Sequence, residues 1–197
     1  MRRVVSMDLK AHLENHKDEL VEAARDSPFI VFLCGPTLDV GNPQPSARLR
    51  VQLKERLEQE SFQVVLGEDE GLEDARLQLG VNAQDNELEF IRKHCNAVIV
   101  IADSVGAFCE LGLFSWHFVH DNGVIKNSTD FILLVDQRHR NDRSYLNEGP
   151  FAAVAGFGLA RFVNLGDDPC DEIIARLKSR RGVFTVDRRG RPRKAET

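Results

Sequence analysis

The sequence predicts an α/β domain: a Rossmann-like or flavodoxin-like parallel sheet of five strands, with helices on both faces. Three observations carry this. Short runs such as residues 29–34 and 97–102 are apolar at nearly every position rather than at every second one, the pattern of strands covered on both sides. Helix-period segments separate these runs, and strands alternating with helices form parallel sheets. A chain of 197 residues suffices for one domain with a full core plus short extensions.

The elements follow in order. Residues 1–27 form an N-terminal unit whose residues 7–25 read as an amphipathic helix, with Leu9, Leu13, Leu20, Val21 and Ala24 on one side. The α/β domain spans 28–181. Its first strand, 29–34, ends in Cys34-Gly35-Pro36, a sharp exit that lets backbone approach a ligand. Ser46 is expected to cap a helix over 47–60, followed by a second strand over 62–66 and an acidic, solvated connection over 67–74. A helix over 84–95 leads into the third strand, 97–102. A helix over 108–120 comes next, then a fourth strand over 130–135, an irregular polar stretch over 136–150 and a short helix within 152–160. A fifth strand over 161–165 and a last helix over 169–180 complete the domain. Residues 182–197 read as a disordered basic tail, with 183–186 an optional edge strand.

Composition narrows the class. No apolar run is long enough to span a bilayer, and a charged N-terminal segment replaces the apolar core of a secretory signal. Cys34, Cys95, Cys109 and Cys170 show no C-x-x-C spacing, so they read as reduced thiols in a cytoplasmic protein. The net charge of −5 conceals an acidic body and a basic tail. His117 and His120 lack metal-ligand spacing, and no metal or cofactor is expected.

The chain is organised around residues 96–112. A buried strand stops at Asp103, turns through Gly106 and enters a helix that is apolar nearly all the way round, hence expected to be buried on several sides. Glu110 stands out inside it, because burying a carboxylate is costly unless a partner or a helix N-terminus offsets the charge. Such a carboxylate is a functional candidate. The plain structural reading pairs it with Arg92 or His94. In a sheet of order 2-1-3-4-5, the loops after strands one and three meet at the topological switch point, where ligands bind. Gly35, Pro36, Asp103 and Glu110 all fall there. The stretch 35–41 lacks the Gly-Lys-Ser/Thr end of a P-loop, and no G-x-G-x-x-G follows the first strand. Arg48 is a weaker phosphate candidate, while Arg48 and Arg50 otherwise read as a solvated helix face.

These residues resemble the nucleoside 2-deoxyribosyltransferase-like superfamily, a Rossmann-like group related to TIR and nucleotide-sensing domains. The likeness covers roughly residues 28–135: the Gly35-Pro36 exit, Asp103, and Gly106 followed by Glu110-Leu111-Gly112. Val105 and Ala107 depart from it, standing where aspartate and threonine are usual. Chain length and the N-terminal helix look like the deoxyribosyltransferase-like effectors of bacterial antiphage systems, including those beside retrons.

The resemblance implies cleavage or transfer of an N-glycosidic bond in NAD or a (deoxy)nucleotide. Glu110 would be the nucleophile or oxocarbenium stabiliser, kept ionised by the helix end; Gly35, Pro36, Asp85, Asp103 and Gly106 would bind substrate. NAD enters as a possible substrate, and no second catalytic carboxylate is evident. A homo-oligomer is expected from the apolar central helix, with a defence-system partner beside it. Two other readings stand: a non-catalytic nucleotide sensor, and an interaction protein whose tail binds nucleic acid. In the tail, Arg189, Arg191, Arg193 and Lys194 form an Arg-Gly-Arg-Pro-like motif suited to narrow grooves and phosphates.

Overall fold

The computed structural model describes residues 28–38, 41, 44–80, 82–120 and 129–186, with 11, 12, 14–16, 18 and 24 of the leading segment. Those leading residues are helical, and the remainder of the segment lies outside the described residues. The same holds for the basic motif at 188–194.

Five strands build one sheet: β1 (Ile30–Cys34), β2 (Gln63–Val65), β3 (Ala97–Ala102), β4 (Asp130–Asp136) and β5 (Leu159–Val163). Every pairing is parallel, as the sequence predicts, and the order is β2-β1-β3-β4-β5, the one assumed in placing the switch point. All six residues of β3 are buried, as are six of the seven of β4. Neighbours cover their edges and helices cover both faces, so the buried side chains are apolar, Asp130 at the start of β4 excepted.

The alternation of the strands sorts side chains onto two cores. One contains Leu33, Ile99, Ile101 and Leu134, packed under Leu49, Leu53 and Leu57 of α1 (Pro45–Gln59) and Ile173 and Leu177 of α6 (Cys170–Val186). The other holds Phe32, Cys34, Val98, Val100 and Leu133. Covering it are Leu72 of α2 (Glu70–Leu79), Ile91 of α3 (Ala83–His94), Phe114 and Phe118 of α4 (Val105–His120), and Val154 of α5 (Ala152–Ala155). The crossover from β1 therefore runs over one face and the crossover from β3 over the other, which makes the gap between their carboxyl ends the switch point.

At the opposite end of the sheet, buried Asp130 is held by Arg176, at 2.7 Å through two nitrogens, and by Arg180 at 3.4 Å. Asn96 stitches β1 there, its Oδ1 accepting from the Ile30 N–H at 2.9 Å.

Several expectations need correction. Helix α1 begins at Pro45, with Gln44 rather than Ser46 before it; proline at the first helical position is pre-set for the helix, and Ser46 is buried. The acidic connection over 67–74 is a helix from Glu70 onward. Strand β5 starts two residues early, at Leu159, because Gly158 passes against β4: a Cβ there would stand 2.3 Å from the Phe131 carbonyl oxygen. Residues 183–186 continue α6 and form no edge strand. Arg181 anchors that last stretch, donating to the Glu60 carbonyl at 3.0 Å with its guanidinium over the Phe62 ring. Helix α4 is buried along one side only, since Val105, Trp116 and Val119 are exposed. No helix among the described residues is long and apolar enough to cross a membrane.

Candidate functional site

The switch point gathers a thiol and charged side chains from four elements. Strand β1 delivers Cys34 and then Gly35-Pro36; α4 delivers Glu110, α3 delivers Glu87 and α1 delivers Arg50. Helix α4 starts at Val105, earlier than expected, with Ser104 Oγ accepting from the Ala107 N–H at 3.2 Å. Glu110 is therefore in its second turn, beyond the reach of the helix dipole. Burial raises the carboxyl above the ordinary range, and Glu68 adds to the rise. The Arg50 charge and a hydrogen bond from the Cys34 thiol act in the opposite direction. The dipole expected to keep Glu110 ionised is thus replaced by a guanidinium and a thiol. Oε2 of the carboxyl is buried and has no hydrogen-bond partner among the described residues.

Arg50, expected on a solvated face, is buried and central. It clamps the β1 exit, donating to the Leu33 carbonyl at 2.8 Å and the Pro36 carbonyl at 2.9 Å. It also meets Glu68 in a fork, at 2.7 and 2.9 Å. Its Nε is buried without a partner among the described residues. Gly35 is needed for this packing, since a Cβ there would come within 3.1 Å of Arg50 Cδ and 3.2 Å of Ile101 Cβ. Arg48 is exposed on the outer side of the helix.

Glu87 is the second carboxylate, and sequence reasoning missed it. It lies against Gly67, where a Cβ would stand 2.8 Å from its Oε1. Burial pushes its carboxyl up to about 7, helped by the charges of Glu110 and Glu68. Nothing comparable to Arg50 or Cys34 compensates it, so Glu110 ionises first and Glu87 keeps its proton near neutrality. Two neighbouring carboxyl groups whose environments hold their protons differently are chemically capable of acid and nucleophile roles.

The remaining predicted residues take separate places. Asp85 is exposed at the start of α3 and exchanges hydrogen bonds with the capping residue Asn82, at 2.9 and 2.7 Å; it is Glu87, two residues on, that reaches the cluster. The largely buried carboxyl of Asp103 is ion-paired with Arg138, at the end of β4. Gly106 is in the exposed first turn of α4, with open space where a side chain would be. Arg92 pairs with Glu89 at 3.4 Å, and the His94 ring lies 5.1 Å from that of Phe90. Arg189, Arg191, Arg193 and Lys194 lie outside the described residues. Along the outer side of α4 runs a separate groove of about 640 Å³, lined by Phe108, Gly112, Trp116, Val119, Tyr145 and Pro150.

The fold and this cluster define a doubly wound parallel α/β protein with a carboxylate-rich site at its switch point. Residues 46–188 match the family model of the STM3845 retron effector protein, and the chain belongs to that family. The match includes Arg50, Glu68, Glu87 and Glu110. Membership makes the protein an antiphage effector that works with a defence-system partner. No curated protein and no solved structure matches the chain.

Proposed function

We propose that the protein cleaves an N-glycosidic bond in NAD or a (deoxy)nucleotide, and that this is its toxic act as an effector. The observation that carries the reading is the pair of partly buried carboxyls, Glu110 and Glu87, at the switch point, both raised by burial, Glu87 to about 7. The Glu110 carboxylate meets C1′ of the sugar as the C1′–N bond breaks, and the bonding electrons leave with the nitrogen. A pyridinium leaving group departs neutral by taking that pair. A purine or pyrimidine needs a proton, which Glu87 supplies. Where a purine or pyrimidine has taken that proton, ionised Glu87 draws one from the water that attacks C1′ and frees Glu110; in the nicotinamide branch Glu87 has kept its proton, and the attacking water's proton passes to bulk solvent.

Charge favours one end of the substrate range. Glu68 and Glu110 outnumber the guanidinium of Arg50, so a cationic base is attracted. NAD, with its cationic pyridinium, fits better than a nucleotide with a neutral base. Release of free base, followed by chromatography with wild type and Glu110→Gln side by side, tests the proposal. Saturable nucleotide binding without release would instead indicate a sensor. We also propose a homo-oligomer, seated on the exposed Trp116–Val119 side of α4.

A further inference from the structure

No Asp, Glu, Lys or Arg lines the groove along α4, in a chain that is 29% charged. An occupant held by charge, such as a nucleic acid, has nothing to bind there, whereas an apolar protein surface does. Gly112 is part of the groove wall, and an added Cβ would meet no atom within 4 Å. Glycine weakens a helix interior, and packing within the chain gives no reason for it at this position. One turn on, Trp116 is 58% exposed, yet its ring is stacked on that of His120 with centroids 4.4 Å apart. His120 is itself held, its Nδ1 lying 2.8 Å from the Trp116 carbonyl oxygen. One face thus presents both a hole and an ordered knob. The face is also symmetric. Val105, Phe108, Gly112, Trp116 and Val119 follow one another in steps of three, four, four and three. At 100° per residue they fall within an arc of about 80° centred on Gly112. Reversing the helix about Gly112 exchanges Val105 with Val119 and Phe108 with Trp116, like for like each time.

We infer that α4 packs against α4 of a second copy, running the other way, about a two-fold axis at Gly112. The inference rests on the assembly proposed above and gives it an axis and a register. A two-fold interface is self-complementary, so every contact occurs twice. Trp116 of each copy enters the other's groove beside Phe108, and Val119 comes beside Val105. Gly112 meets its own copy on the axis, where the missing side chain lets the two helices approach closely. A large aromatic side chain filling a pocket near the centre of an interface is the kind of contact that carries binding. The spacing selects the occupant: a second copy matches a palindromic row of residues by construction, and an unrelated chain has no such reason to match it.

The test uses the whole chain, with sedimentation for mass and disulfide capture for register. Wild type is expected to form an assembly with an even number of copies. Gly112→Leu fills the open space and improves the helix, so the monomer keeps or raises its melting temperature, compared at a dilution where both proteins have dissociated. It also places two side chains on the axis, and the affinity between copies is expected to fall roughly thirtyfold or more. Loss of assembly from a fully stable chain separates a seam from a folding defect. Capture is done in a Cys109→Ser background, which removes the exposed native thiol. Val105→Cys and Val119→Cys proteins are mildly oxidised, separately and mixed. Disulfide dimers are expected predominantly in the mixture, because the axis brings position 105 to position 119 of the other copy and not to itself. Equal capture in the separate proteins, no capture in the mixture, or an assembly unchanged by Gly112→Leu would overturn the inference and leave an oligomer in another register. A wild type that is monomeric alone and assembles only with co-expressed partners would give the face to another chain, overturning both the assembly and this seam.

Discussion

Glu87→Gln is expected to stabilise the protein increasingly as pH rises from about 4.5, with the full effect above about 7. The side chain keeps its shape and its place against Gly67, and loses only the ability to ionise. In the folded protein the carboxyl titrates at about 7 rather than at the ordinary 4.5, with burial the main cause and the Glu110 charge the second. A raised carboxyl means that the folded state binds the proton more tightly than the unfolded chain does. Stability is then fully present below the unfolded value near 4.5 and is lost as pH rises through about 7. At about 1.4 kcal/mol per unit, the shift corresponds to roughly 3 kcal/mol; solvent screening of this partly exposed group reduces that to roughly 1–2 kcal/mol. For a chain of this size, 1 kcal/mol moves the melting temperature by roughly 2–4 °C. Thermal denaturation of both proteins at pH 5 and pH 8.5 checks it. Glu87→Gln should melt roughly 3–6 °C higher at pH 8.5 and within about a degree of wild type at pH 5. The same shift at both pH values, or a lower melting point at pH 8.5, would refute the account of Glu87 as a buried proton carrier.

Three further predictions follow from other parts of the molecule. With Glu87→Gln, release of adenine from a neutral nucleoside should fall by at least a hundredfold while release of nicotinamide from NAD falls far less, because only the first needs a proton; parallel losses on both substrates would remove Glu87 from the acid role. Arg176→Met leaves buried Asp130 with only the longer Arg180 contact and should cost about 3 kcal/mol, read in urea as a lower midpoint at unchanged slope. Trp116→Glu places a charge on the exposed side of α4 and should shift light-scattering mass from oligomer to monomer without lowering the melting temperature; a wild type that is already monomeric contradicts the proposed assembly.

Much of the fold is legible in the sequence because burial on both faces leaves a plain signature. The unbroken apolar run of β3 defines the strand to the residue, and the anomaly of a carboxylate in an apolar helix singles out Glu110. Its partners are hidden for physical reasons. Arg50 lies on a helix whose opposite positions are solvated, and only the crossover of α1 above β1 turns it inward against two carbonyls. Glu87 and Asp85 are two residues apart on one helix and so point about 200° apart; the sequence alone does not say which of them faces the switch point. Asp85 has the motif position, but Asn82 takes its carboxyl as a cap partner. Glu68 is hidden in an acidic run that resembles a solvated loop, until α2 begins at Glu70 and the residues before it turn back toward Arg50. The one-sided burial of α4 was beyond pattern analysis because its outer side is as apolar as its inner one.

The most direct test of the central claim is release of free base by the purified protein, with and without its co-expressed partners, measured by chromatography on NAD and a panel of nucleotides, with Glu110→Gln run in parallel. The account predicts nicotinamide release by wild type and a loss of at least a thousandfold in the variant, both proteins melting as folded domains. Base release that persists undiminished in Glu110→Gln would contradict it.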